Sequence, residues 1–223
     1  TDLEAHFDEK KEELVEILQT LLKMIFRPEN LMVDFVGEEK AVGLLDAPVE
    51  AFKAALYTEA VEMAHYIPEV SRKNEGFLTS GQVNYVCRAG NFRKSGLKYT
   101  GALRVLKVML GYEYLWINVR VKGGAYGCMC SFGRSGDSYF VSYRDPNLGR
   151  TIDIYEKAAD AIAEFTADER TMTQYIIGAV SDLDVPMNPA AKGLYSLSAY
   201  MTGLDDAALQ REREELLSAT VED

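Results

Sequence analysis

Arg120 and Tyr126 carry the side chains best suited to act on a substrate, in the run Arg120-Val121-Lys122-Gly123-Gly124-Ala125-Tyr126-Gly127. Arg120 offers a planar fork of N–H donors that matches a carboxylate or a row of peptide carbonyls. Tyr126 offers a hydroxyl that can donate to an oxyanion as it develops. Between them stand Lys122, Gly123 and Gly124. Adjacent glycines supply no side chain to pack, so they suit a place where the chain must bulge or where a second backbone comes close. An extended peptide is one such backbone, and the run reads as a substrate-binding loop. An ordinary strand–bulge–strand accounts for the same residues, with the Arg120 stem lying along the surface and Tyr126 in the core.

Other familiar constellations are missing. His6 is followed by Phe-Asp-Glu and His65 by Tyr-Ile-Pro, so neither belongs to a two-histidine zinc motif on one helix. Ser135-Gly136-Asp137 lacks the spacing of a nucleophile elbow. Lys122-Gly123-Gly124 lacks the flanking residues of a phosphate loop. The three cysteines, Cys87, Cys128 and Cys130, are too few and odd in number for a disulfide framework. Cys128 and Cys130 would share one face of a strand, and with only two histidines in 223 residues a closed zinc site is not expected. The thiols read as packing residues in a reducing compartment.

The net charge of −11 argues against nucleic acid, which needs a concentrated basic face. No apolar run approaches the roughly 18 residues of a membrane span. Hydrophobic residues at 48% and charged residues at 26% exclude a wholly disordered chain.

Several elements must hold Arg120 and Tyr126 in place. Leu14, Leu18, Leu21 and Ile25 give residues 8–26 a helical stripe, stopped by Pro28 and Asn30. Leu31–Val36 reads as a short strand closed by Gly37, and Asp46-Ala47-Pro48 opens a second helix with Phe52 and Leu56 inward. Residues 57–76 have no clean period, and Pro68 with the run Ser71–Glu75 marks a linker. Gln82–Ala89 then alternates as a strand with Val83, Tyr85 and Cys87 on one face, and Thr100 caps a helix carrying Leu103, Leu106 and Leu110. Tyr114–Arg120 reads as a strand leading into the glycines. Cys128–Phe132, a turn at Gly133–Asp137 and Tyr139–Tyr143 make a hairpin that Pro146 and Asn147 end. Helices follow: one with Ile152, Tyr155, Ala159 and Ile162 on a face, and one opened by the capping box Thr166-x-x-Glu169. Two more run from about Pro189 to Met201, stopped by Gly203, and from Asp205 to Leu217. The expected fold is α+β: a mostly antiparallel sheet over about residues 75–145 with helices packed on one face.

Trp116-x-x-Val119-Arg120-x-Lys122-Gly123-Gly124-Ala125-Tyr126-Gly127, with Tyr143-Arg144-Asp145-Pro146-Asn147 downstream, resembles the C-terminal half of the insulinase/pitrilysin metallopeptidases, in particular the presequence-protease branch. Gln82–Val86 and Asp184-x-Pro186…Ala191-Lys192-Gly193 are similar to further stations of that pattern, in the same order. The resemblance runs across residues 75–220 and more loosely before them. It implies one of four homologous α+β domains arranged as two halves around a chamber. Zinc would be bound in the first domain, through an inverted His-x-x-Glu-His motif whose Glu is the general base. The last domain would supply an Arg and a Tyr, here Arg120 and Tyr126, as catalytic contacts reaching the substrate across the closed chamber.

On this resemblance residues 1–40 are expected to be the closing helix and strand of the preceding domain, 41–74 a helix and linker, and 75–223 the last domain, cut short at its C-terminus. The N-terminal helix and strand would fill the place so vacated. The partners implied are a peptide substrate and the zinc-binding N-terminal half of the same protein, with neither nucleic acid nor membrane. This part would hold no metal and be inactive alone, and the compartment would be the cytoplasm, or an organelle matrix in a eukaryote. The alternative is a non-catalytic homologue serving as a scaffold or partner subunit; the presence of both Arg120 and Tyr126 favours the peptidase.

Overall fold

The structure, a computed structural model, describes residues 2–61, 67, 69, 71 and 80–223. It divides into two compact units, Thr1–Glu75 with Met187–Ser198, and Gly76–Pro186 with Ala199–Asp223. The linker expected over 57–76 lies largely outside the described residues.

In the first unit, α1 (Asp2–Ala5) precedes the long α2 (Phe7–Ile25). The Asn30 side chain donates to the Met24 and Ile25 carbonyls at 3.1 and 3.0 Å, satisfying acceptors that the end of α2 leaves open. Two short helices follow, α3 (Glu39–Val42) and α4 (Asp46–Ala54). The apolar stripe of α2 is present but half-exposed, with Leu18 and Leu21 both open to solvent, and Phe52 on α4 is exposed rather than buried. Leu31–Val36 forms no strand, contrary to expectation. A strand needs a partner for its ladder, and a short apolar run without one does not specify the conformation.

The second unit is built on three antiparallel strands in the order β1 (Asn84–Asn91), β3 (Asp137–Asp145), β2 (Gly127–Phe132). Helices cover one face, so the chain has the expected α+β architecture. The β2–β3 hairpin turns through Gly133–Asp137, where Gly136 has φ of 90°, a left-handed conformation that glycine adopts freely. Val86, Cys130 and Ser142 point into the core, with Cys128, Phe132 and Phe140 packed beside them. Val83, Tyr85 and Cys87 share one face as expected, and it is the outer one. The inward residue is Val86, at 2% exposure, whereas Tyr85 is 74% exposed, as alternation along a strand requires.

The largest departure precedes β2. α5 (Ala102–Met109) runs directly into a π-helix, Leu110–Val121, where a strand over Tyr114–Arg120 was expected. The Lys122 amide donates to the Ile117 carbonyl at 2.9 Å, five residues back. Leu110, Leu115 and Val119 are fully buried and stand five and four residues apart, a helical spacing that puts all three on the core side. Short runs of Trp, Ile and Val suit a strand and a buried helix equally, and burial against β2 decides for the helix here. Thr100 does not cap α5; Gly101 stands there, and its amide donates to Glu215 at 2.7 Å.

After the sheet come α6 (Gly149–Glu156) and α7 (Ala158–Ala163), then α8 (Glu169–Leu183), capped by Asp168 rather than Thr166. The Asp168 carboxylate accepts from the Thr171 amide at 2.8 Å. α9 (Pro189–Thr202) and α10 (Asp206–Leu217) are separated by Gly203, with φ of 68°. In the core Phe140 stacks on Tyr155 at 5.5 Å, and Gly178 of α8 lets Val108 of α5 approach closely. Glu212 of α10 ties the end helix to the rest of its unit. It is bound by Arg104, by the Arg134 guanidinium at 2.6 Å and by the Tyr99 hydroxyl at 3.0 Å.

Candidate functional site

Arg120 and Tyr126 lie together, at the passage from the π-helix into β2. Arg120 sits in the last turn of that helix and donates from Nη1 to the Tyr126 carbonyl at 2.6 Å. Its guanidinium carbon lies 4.1 Å from the centre of the Trp116 ring and 5.8 Å from that of Tyr126. Trp116 and Arg120 are four residues apart, so a helix stacks them and a strand would not. The helical state of this segment is thus what builds the Arg120 environment.

The glycines make the passage possible. They end a helix instead of interrupting a strand, so the strand–bulge–strand account of this run does not hold. A Cβ at Gly123 would run into the Val119 carbonyl, and Gly124 has φ of 82°. The Gly124 amide donates to the Arg120 carbonyl at 2.8 Å and the Ala125 amide to the Val119 carbonyl at 3.2 Å, closing the helix end. Two side chains from after β3 hold the loop from outside. Asn147 Nδ2 donates to the Gly123 carbonyl at 2.6 Å, and Arg150 Nη1 donates to the Lys122 carbonyl at 3.1 Å. Lys122 itself is exposed.

Tyr126 is 58% exposed, not a core residue. Its amide donates to the Tyr143 carbonyl at 3.2 Å, and its ring lies 5.6 Å from that of Tyr143 at a 59° tilt. The Arg144 guanidinium carbon lies 5.4 Å from the same ring centre. Tyr126 therefore stands in solvent among two guanidinium groups and one aromatic ring, with its hydroxyl free of any hydrogen bond among the described residues.

Directly behind lies a buried polar anchor. Asp145 is fully buried; its carboxylate accepts from Ser142 Oγ at 2.7 Å, Thr151 Oγ1 at 2.8 Å and the Asn147 amide at 2.8 Å. This fixes the Tyr143–Asn147 segment against α6 and so places Asn147 on Gly123. Burial pushes the neighbouring Tyr155 phenol up to about 12, with Ser142 pulling it down and Asp145 pushing it up. Burial also pushes the Cys130 thiol up to about 11, against the pull of Lys107, and raises Cys128 against the pull of Arg120. Both thiols share the inner face of β2 and stay protonated at neutral pH, as packing residues do. Among the described residues no group of three or more His, Cys, Asp or Glu could hold a metal.

Arg120, Tyr126 and the loop between them are legible in the sequence. The roles of Arg144, Tyr143, Asn147 and Arg150 are not, although Tyr143-Arg144-Asp145-Pro146-Asn147 stands out as a motif. Their role depends on the hairpin folding back onto the helix end, a contact that local spacing does not encode.

Proteins similar to this chain include presequence proteases. The chain is 33% identical over 223 residues to presequence protease 1, chloroplastic/mitochondrial, of Arabidopsis thaliana, covering 99% of this chain and 21% of that protein. It is 39% identical over 215 residues to protein HypA of Clostridium perfringens, covering 96% of this chain and 22% of that protein. The mitochondrial presequence protease of Xenopus laevis is 32% identical over 122 residues, covering 55% of this chain and 12% of that protein. The chain thus spans about a fifth of the length of the two relatives it matches almost throughout. The model of the PreP C-terminal domain matches residues 74–223, and the chain belongs to that family.

Proposed function

We propose that this chain is the C-terminal, substrate-chamber part of a zinc metallopeptidase that hydrolyses unstructured peptides. The observation that carries the reading is the exposed Tyr126 beside Arg120, on a chain of the presequence-protease C-terminal family. Residues 75–223 form the last domain of the full-length protein, 1–40 close the preceding homologous domain, and 41–74 connect them. The N-terminal half of the same protein is the partner that would hold zinc, and the metal would supply Lewis-acid chemistry there. The described residues of this chain offer no set that fits zinc, so no step is assigned to the metal here.

This chain's own contribution is made by donors. The Tyr126 hydroxyl donates to the oxyanion as the tetrahedral intermediate forms. Arg120 keeps the Tyr126 main chain in place through its carbonyl and turns its remaining N–H groups to peptide carbonyls. Lys122, Gly123 and Gly124 form a loop with no side chain at its centre, along which an extended substrate backbone can lie. The protein works in a reducing compartment, the cytoplasm or an organelle matrix. Among the described residues no helix is long and apolar enough to cross a membrane.

The test is a peptidase assay on an unstructured peptide, with the chain alone and with the full-length protein. The full-length protein should cleave and lose activity to a chelator, and the chain alone should not cleave. Chelator-sensitive cleavage by the chain alone would overturn the reading. A full-length protein with no peptidase activity would favour a scaffold.

A further inference from the structure

Arg144 has a backbone that few residues other than glycine accept. Its φ is 48°, and among the described residues it is the one non-glycine with a positive φ. The cause lies in the pairing of β1 with β3. Val86 pairs with Ser142, but Asn84 pairs with Asp145, so β3 carries one extra residue opposite Tyr85. That bulge turns both Ser142 and Asp145 inward, three residues apart, where an unbroken strand would put them on opposite faces. It also throws the Arg144 side chain out, toward the Tyr126 ring at 5.4 Å. Among the described residues the Arg144 side chain has no carboxylate partner and no hydrogen bond, and its guanidinium contact is with the Tyr126 ring.

We infer that Arg144 is a positioning residue for Tyr126, holding the phenol ring through the guanidinium contact so that its hydroxyl meets the substrate at a fixed angle. The inference rests on the reading of Tyr126 as the donor to the reacting peptide. Tyr126 is more than half exposed, and Tyr143, Arg120 and Arg144 stand beside its ring. Arg120 is tied to the Tyr126 carbonyl and stacked on Trp116, so it fixes the main chain more than the ring. A guanidinium over a tyrosine ring restrains it through the ring's negative face. Strained backbone conformations of this kind cluster at functional sites.

Arg144→Gly separates side chain from backbone, because glycine takes a positive φ without strain. In the full-length protein this variant should melt at or above the wild-type temperature. Its kcat should fall about three- to thirtyfold with KM little changed, the range that loss of one cation–π contact gives. Arg144→Lys should recover part of the loss. In a Tyr126→Phe background, Arg144→Gly should cost little further, because the group it positions is gone. Wild-type kcat in Arg144→Gly, or the same fold-loss in both backgrounds, would overturn the positioning role while leaving Tyr126 as donor. Wild-type turnover in Tyr126→Phe alone would sink both.

Discussion

Asp145 shows how much of the site depends on one residue that never touches substrate. Its carboxylate collects two hydroxyl donors and one amide with no solvent access, and Asn147 and Arg144 on either side act on the loop and on Tyr126. Asp145→Ala leaves those donors buried without an acceptor. The cost should be about 3 kcal/mol or more, read as a fall in the denaturation midpoint of the chain at unchanged m-value. An undiminished midpoint would mean the cluster is not the anchor. Arg120→Ala should act differently. It frees the Tyr126 carbonyl and bares Trp116, so both kcat and KM of the full-length protein should worsen, and Arg120→Lys should not restore them, because an ammonium cannot stack and fork together. At this scale the sequence was readable where chemistry is carried by residue type. Arg120, Tyr126 and the paired glycines stood out; Arg144 did not, since nothing about an arginine announces the backbone it occupies.

At the scale of elements, the helix-to-strand passage is the sensitive point. Gly123→Ala would put a methyl group against the Val119 carbonyl, which cannot move without breaking the Ala125–Val119 hydrogen bond. We expect a loss of about 2 kcal/mol or more in stability, with peptidase activity of the full-length protein falling alongside. Retained stability and activity would show that the passage has room to spare. The hairpin from Cys128 to Tyr143 was legible, since alternation and the Gly133–Asp137 turn agree. So were the stops at Asn30 and Gly203, each with a physical reason in the structure. The segment from Tyr114 to Arg120 was not, because aromatic and branched residues suit a buried helix as well as a strand, and only packing on β2 distinguishes them. The alternation of β1 was legible, but not which face is inward: Val83, Tyr85 and Cys87 form the more apolar set, whereas pairing with β3 turns Val86 inward.

For the whole molecule, the Glu212 clamp joins α10 to α5 and to the hairpin turn. Burial raises the Glu212 carboxyl, but hydrogen bonds and charge from Arg134 and Arg104 outweigh it and hold the group below its ordinary value. A carboxyl lowered by folding contributes stability that is complete above the unfolded value and lost as pH falls through the folded one. Melting temperature should therefore decline below about pH 4.5, the ordinary carboxyl value. Glu212→Gln should lower stability by about 2 kcal/mol at neutral pH and flatten that decline. A decline of equal steepness in the variant would assign the acid sensitivity to other carboxylates.

The central claim is that Tyr126 donates to the reacting peptide, and steady-state kinetics of Tyr126→Phe in the full-length protein tests it most directly. The change removes one hydroxyl and almost no volume, from a residue whose ring packing remains available to phenylalanine. The account predicts a kcat roughly ten- to a thousandfold lower with KM and melting temperature close to wild type, as for loss of a contact made in the transition state. Wild-type kcat/KM in that variant would contradict it, and Tyr126 would then be a surface residue stacked on Tyr143 and nothing more.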